Sequence, residues 1–198
     1  MTTALSITKL SVGPMDNNAY LLRCRATGEG VLIDAANEAP RLLQLVEPEG
    51  IRAVVTTHRH PDHWMALAEV IEATGAQSLA HPADAPEIPV VTGTLNEDDT
   101  LRVGDCTLSV IHLVGHTPGS IALYYEPDGG HLFTGDALFP GGPGRTTNPT
   151  DFNSLMDDLE EKVFGPLPDS TVIYPGHGKD STIGAERPAL PQWRARGW

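Results

Sequence analysis

A strand meander that ends in a helix and one more strand occurs twice along this sequence, and the scheme predicts an α/β fold of two sheets packed face to face with helices outside. Three observations carry the prediction. Both halves open on short apolar runs broken by turn residues, which read as strands. Both then change to the 3.6-residue period of an amphipathic helix and finish on a β-branched run. The composition, 40% apolar and 20% charged over 198 residues, is that of a globular chain with material for one sizeable core, so residues 1–198 are read as one domain. No repeat is tight enough for a solenoid.

In the first half, residues 5–10, 19–24 and 30–34 are the meander strands, with Thr27-Gly28-Glu29-Gly30 as a tight connection. Residues 41–46 make a short helix with Leu42, Leu43 and Val46 on one side, stopped by Pro48 and Gly50. Residues 51–57 are a β-branched run and read as a buried strand. From Asp62 a helical period follows, since Trp64, Leu67, Ala68 and Ile71 fall at i, i+3, i+4 and i+7, and Gly75 stands where a C-terminal cap belongs.

In the second half, residues 101–103 and 107–113 flank Gly104-Asp105, and residues 121–125 and 132–134 flank Pro127-Asp128-Gly129-Gly130, as in two hairpins. Asn148-Pro149-Thr150 opens a helix that buries Phe152, Leu155, Met156, Leu159 and Val163, while Asp157, Asp158, Glu160, Glu161 and Lys162 face water. Residues 171–174 form the next strand and lead into Pro175-Gly176-His177-Gly178. The tail, residues 183–198, is rich in Pro and Arg and carries Trp193 and Trp198; it is expected to pack over the body without forming an element of its own. Packing of the same tail on a second copy, as a homodimer, is the alternative.

Thirteen Lys+Arg against 26 Asp+Glu give a formal charge of -13, a field that repels phosphate backbones and anionic headgroups and argues against nucleic-acid or membrane partners. Cys24 and Cys106 lack any C-x-x-C spacing and read as reduced core thiols. The N-terminus has no basic segment followed by an apolar one, and no apolar run approaches the roughly 20 residues of a spanning helix. A cytoplasmic protein acting on a small molecule is the expectation.

The chemistry is concentrated in Thr57-His58-Arg59-His60-Pro61-Asp62-His63, where three imidazoles and a carboxylate follow a buried strand directly. In a loop alternate side chains point the same way, so His58 and His60 can converge on one ion while Asp62 and His63 point to a neighbouring position. His116, Asp136 and His177 each sit at a predicted strand end beside glycine, which lets the backbone turn sharply and approach closely. Imidazole and carboxylate donors suit Zn²⁺ and also accept iron or manganese.

These residues resemble the metallo-β-lactamase superfamily, and within it the glyoxalase II-like hydrolases, in the His-x-His-x-Asp-His run at 58–63 and in His116, Asp136 and His177 in the family's order. The resemblance extends from Asn17-Asn18-Ala19-Tyr20 to His177. It implies an αββα sandwich of two mixed sheets with the site at one edge. It further implies two divalent cations, one held by His58, His60 and His116, the other by Asp62, His63 and His177, with Asp136 between them. A bridging hydroxide would be the nucleophile, oriented by Asp62, because two cations lower the pKa of water and polarise a carbonyl. Hydrolysis of a small thioester is the implied reaction, with Asp62 and Asp136 as its catalytic carboxylates and Zn²⁺ as the expected metal. Glyoxalase II carries an additional C-terminal helical domain for glutathione, whereas only 21 residues follow His177 here, so that thiol specificity is not carried over.

Three other readings stay open. Persulfide dioxygenases also look like this chain and hold a single iron through the equivalents of His58, His116 and Asp136, a facial triad. Lactone or β-lactam hydrolysis would use the same centre. A non-catalytic metal protein is the third, although closed structural sites favour four ligands and cysteine.

Among other residues, Arg145 either offers a guanidinium to a substrate carboxylate or pairs with a local acid, and Lys179 is a weaker candidate for the same task. Asp34, closing its strand, is expected to hydrogen-bond a ligand histidine. His81, His112 and His131 read as structural or surface residues, and Trp64-Met65-Ala66, where the family often has small residues, as core.

Overall fold

Side chains that point alternately to the two faces of each strand set the layers of the molecule, a computed structural model that describes residues 4–47 and 49–197. The first sheet has the order β1 (Leu5–Val12), β2 (Asn17–Cys24), β3 (Gly30–Ile33), β4 (Ala53–Val55), β5 (Gln77–Ala80) and β6 (Gly93–Thr94). β1 to β3 are an antiparallel meander, whereas β3 to β6 pair in parallel. Parallel neighbours need crossovers, and α1 (Ala39–Val46) and α2 (Leu67–Thr74) supply the first two. The second sheet begins with β7 (Thr100–Val103), β8 (Cys106–His112), β9 (Ile121–Tyr125) and β10 (His131–Gly135), joined antiparallel in sequence. A small ribbon, β11 (Leu138–Phe139) with β12 (Gly142–Pro143), precedes α3 (Pro149–Asp158). β13 (Val172–Pro175) then returns parallel to β10, and β14 (Ser181–Thr182) closes that edge.

Val31 and Ile33 turn toward the second sheet, where they join Tyr20, Leu108, Leu123 and Phe133, while Leu32 between them turns outward under α1 and α2 with Leu42, Leu67 and Val70. Leu132 and Ile173 face outward from the second sheet under Phe152, Leu155, Met156 and Trp193. Helix, sheet, sheet and helix are therefore four layers with three apolar seams, the expected αββα sandwich with mixed sheets. No helix among the described residues is long and apolar enough to cross a membrane.

Four local expectations change. The helix read from Asp62 is a 3-10 turn at Pro61–His63, followed by irregular backbone, and α2 begins only at Leu67. The Trp64 indole N–H donates to the Arg59 carbonyl at 2.7 Å, and Ala66 N–H donates to Ala35 at 3.0 Å, so the apolar residues at 64 and 66 fix a loop instead of a helical turn. Ala68 is exposed, and Ala66, Leu67 and Val70 carry the contact, whereas Gly75 takes the left-handed cap conformation as expected, with φ 67°. The strand read over 51–57 is regular only across Ala53–Val55; Thr56 N–H still donates to the Leu79 carbonyl at 2.9 Å, whereas Thr57 N–H turns to the Asp34 carboxylate at 2.8 Å.

In α3, Asn148 caps the helix by accepting from Asp151 N–H at 2.9 Å, and the chain continues as a π-helical stretch, Leu159–Phe164. Asp158 is not simply solvated, since it accepts from Val114 N–H at 2.7 Å. The tail does form elements, α4 (Ile183–Glu186) and α5 (Leu190–Arg196), and Trp193 packs edge-on against Phe164 at 5.8 Å. Trp198, Pro48 and Met1 to Thr3 lie outside the described residues.

Candidate metal centre

The strands that deliver the candidate ligands end side by side. The β10 and β13 ends are tied by Gly176 N–H to the Gly135 carbonyl at 2.8 Å, and β2 joins through Asn18 N–H to the Gly176 carbonyl at 2.7 Å. This brings Asp136 and His177 against the loop that follows β4. His58 Nε2 lies 3.0 Å from His60 Nδ1 and 3.3 Å from His116 Nε2. His63 Nε2 lies 3.3 Å from His177 Nε2, and Asp62 Oδ2 lies 3.2 Å from His177 Nε2. Asp136 faces both clusters, with Oδ2 3.3 Å from His177 Nε2 and 3.8 Å from His116 Nε2, and Oδ1 3.3 Å from His63 Nε2. All seven residues singled out in the sequence meet at one edge of the two sheets, in overlapping groups His58/His60/His116, His58/His63/Asp136 and Asp62/His63/His177.

The donor chemistry fits divalent cations. Asp34 and the carbonyls of Arg145 and Met15 only accept hydrogen bonds, so the Nδ1 atoms of His63, His116 and His177, at 2.8, 2.7 and 2.9 Å from them, carry the protons. Their Nε2 lone pairs consequently point inward at one another. Imidazoles facing so closely have few protons to share, whereas a tetrahedral shell with metal–nitrogen bonds of about 2.0–2.1 Å places neighbouring donors about 3.3 Å apart. Asp136 Oδ1 is buried with no hydrogen-bond partner, although His63 Nε2 is near. A cation is the partner that satisfies both.

Charge is arranged to match. Burial opposes a proton on His63, but Asp34 and Asp136 outweigh it and raise its pKa to about 10. Burial likewise opposes ionisation of Asp136, yet contact with His177 and His63 holds it far below the usual carboxylate range. His58 is pushed well down by burial and by His63, and His116 is lowered chiefly by burial. His177 is raised, first by its hydrogen bonding with Asp136. The centre thus sets the buried Asp136 anion beside His63 and His177, whose protons it favours, and beside His58 and His116, whose protonation burial opposes; a cation at His63 would take the place of its proton.

Asp34 does what its position suggests. Its left-handed backbone, φ 57°, aims the carboxylate under the loop, where it takes His63 Nδ1–H, Thr57 N–H at 2.8 Å and Thr57 Oγ1–H at 2.9 Å. The Thr57 hydroxyl is also 3.1 Å from His58 Nδ1, so one acid orients two ligands. Gly176 is compulsory, since a side chain there would collide with Asp136 Oδ1.

Two functional residues escape sequence reading. Asn17, 1% exposed, donates its amide to Asp62 Oδ2 at 2.9 Å and to the Asp62 carbonyl at 3.0 Å. Asp84, fully buried, accepts from Arg59 N–H at 2.9 Å, Thr117 Oγ1–H at 2.6 Å and Gly119 N–H at 2.8 Å, and so ties the His58–His60 loop to the loop bearing His116. Asp84→Asn presents an amide where two donors converge, leaving buried groups unpaired at a cost of about 1–3 kcal/mol. We expect a lower melting temperature and metal affinity reduced ~10–100-fold, read by calorimetry and chelator competition; unchanged affinity would detach Asp84 from the centre.

The other residues fall as follows. Arg145 is exposed without an ion pair among the described residues, so the local-acid reading fails; Lys179 is exposed on the turn after His177. His81 stacks on His112 at 3.8 Å and His131 lies 3.0 Å from the Tyr174 hydroxyl, both away from the centre. Trp64 and Ala66 enter the core, while Met65 is 63% exposed.

The metallo-beta-lactamase superfamily model matches residues 12–177. A hydroxyacylglutathione hydrolase of Polaromonas sp. is 36% identical over 163 residues, 81% of this chain, which spans 62% of that relative's length. ETHE1 from Myxococcus xanthus superposes with a TM-score of 0.82 at 28% identity, over 96% of this chain and 85% of its own. TTHA1623, solved in a di-iron-bound form, superposes at 0.78 with 32% identity, over 91% of this chain and 96% of its own.

Proposed function

The chain belongs to the metallo-beta-lactamase superfamily, and from that membership we propose that it is a binuclear metallo-hydrolase acting on a small thioester. The observation that carries the reading is the pair of donor groups sharing Asp136, built from nitrogen and oxygen alone. Closed structural zinc sites favour cysteine and use four ligands, whereas seven donors around two positions leave places for water and substrate. The hydroxyacylglutathione hydrolase relative favours a thioester, and the di-iron form of TTHA1623 favours two metals. Zn²⁺ is our choice, and iron or manganese suits the same donors.

His58, His60 and His116 would hold one cation, Asp62, His63 and His177 the other, and Asp136 would touch both. Two such cations supply an acidified water and polarise the scissile carbonyl. The chain's own residues do the positioning. Asp34 and Thr57 keep His63 and His58 in the tautomer that points Nε2 inward. Asn17 fixes the Asp62 carboxylate, which would help hold the second cation and orient water there.

Metal content of the purified protein, measured with a thioester assay on the same sample, tests the proposal. About two metal ions per chain, with turnover lost on chelation and restored on reloading, is the expected result. One iron per chain, with oxygen consumed on a persulfide and no hydrolysis, would overturn it in favour of the dioxygenase reading.

A further inference from the structure

We infer that Cys24 and Cys106 form a dithiol that a small hydroperoxide closes to a disulfide, clamping the two sheets together at the pole opposite the metal centre. They are the chain's only cysteines, 82 positions apart, both buried and free, and the fold makes them neighbours. Cys24 ends β2 on the face that carries Tyr20 and Leu22, and Cys106 opens β8 on the face that carries Leu108 and Val110; both faces line the seam between the sheets. The turn Gly104-Asp105, which joins β7 to β8, is seated on Cys24. A side chain at Gly104 would collide with the Thr27 hydroxyl and come within 3.0 Å of Cys24 Sγ. Gly104 N–H donates to the Glu29 carboxylate at 2.8 Å and so holds that turn against the connection between β2 and β3. Asn17, at the other end of β2, contacts Asp62, which sets the thiols roughly 23 Å from the centre at about 3.3 Å per strand residue.

Their surroundings give the two thiols different states. The Thr27 hydroxyl first, then the backbone N–H groups of Asp105, Thr27 and Ala26, favour charge on the Cys24 sulfur, outweigh burial and bring its pKa down to about 6. The thiolate is the form that attacks a peroxide. Cys106 is raised, chiefly by burial, with Cys24 among the groups that act on it and the Tyr125 hydroxyl 3.9 Å from its sulfur. A cleft of about 400 Å³, lined by Ala4, Asp105, Cys106, Thr107 and Tyr125, gives an oxidant the way in. With hydrogen peroxide the Cys24 thiolate takes one oxygen: an S–O bond forms, the O–O bond breaks, and hydroxide leaves to be protonated to water. The Cys106 sulfur then displaces the sulfenic hydroxyl of Cys24. The S–S bond forms, the S–O bond breaks, and the Cys106 proton departs with the hydroxyl as a second water. The two sulfurs together lose two electrons and the peroxide gains them.

This inference is independent of the thioesterase reading, because its readouts are thiols and melting. The zinc-loaded full chain is treated with hydrogen peroxide beside a small reference thiol and mapped by peptide mass under non-reducing conditions. Both thiols should disappear into one Cys24–Cys106 peptide pair, about 2 Da lighter than its reduced halves, and return with dithiothreitol. The melting temperature of the oxidised chain should rise by ~5–15 °C, the effect of closing a long loop. Cys106→Ser, or Cys106→Ala where serine unsettles the core, should stop at a Cys24 sulfenic acid trapped by dimedone, while Cys24→Ser should leave Cys106 unreacted at the same dose. Thiols that outlast the reference thiol, disulfides formed only between chains, or a cross-linked chain of unchanged melting temperature would overturn the clamp. Equal oxidation of Cys106 in Cys24→Ser would overturn Cys24 as the attacking sulfur.

Discussion

Asp136→Asn is expected to abolish turnover, by at least ~100-fold, and to reduce bound metal from about two ions per chain to about one or fewer; losing a mere outer partner of a ligand costs ~10–100-fold. The reason is geometric. Asp136 alone faces His63, His116 and His177 together, at 3.3, 3.8 and 3.3 Å. Asparagine keeps the shape but exchanges one carboxylate oxygen for an NH₂ group and removes the negative charge between the two donor groups. The fold should persist, because the surrounding backbone is held independently by Gly144 N–H to the Ala137 carbonyl and by Gly176 N–H to the Gly135 carbonyl. Elemental analysis with circular dichroism separates the outcomes. A folded variant that retains two metals and full turnover would remove Asp136 from the shared position.

The contrast between Asp136 and Asp84 shows what a sequence can reveal of such a site. The residues that meet at the centre are legible because three imidazoles within six residues have no economical structural explanation and because glycines mark the strand ends beside the others. Asp84, in a Pro-flanked loop, looks like any turn acid, and its role exists only once the loops at 59 and 117–119 meet over it. Asn17 is hidden in the same way, its partner being 45 positions away. The layers are legible because apolar and polar residues alternate along β7 and β8 and because Phe152, Leu155 and Met156 keep a helical period in α3. The tail is misread because proline is taken as a breaker. Pro188 and Pro191 instead occupy the first turns of short helices, where a missing N–H costs nothing and the fixed φ helps. The helix expected from Asp62 fails for a different reason, since apolar spacing alone cannot tell a helical face from a loop whose Trp64 is anchored to its own backbone.

His60→Ala separates the two enzyme readings most sharply. His60 is half-buried, and its Nδ1 stands 3.0 Å from His58 Nε2, completing the group with His116. A binuclear hydrolase needs that third imidazole to hold its first cation. Near-complete loss of thioester turnover, at least ~100-fold, is therefore expected, with the other metal position still loaded. The single-iron reading uses only His58, His116 and Asp136, so it expects iron content and oxygen consumption to survive the same change. Removal of His60 leaves Asp34, Thr57 and Asp84 in place beneath the loop, and the variant should fold. Thioester hydrolysis at the parental rate by a folded, metal-loaded His60→Ala protein would remove His60 from the first site, whatever the substrate proves to be.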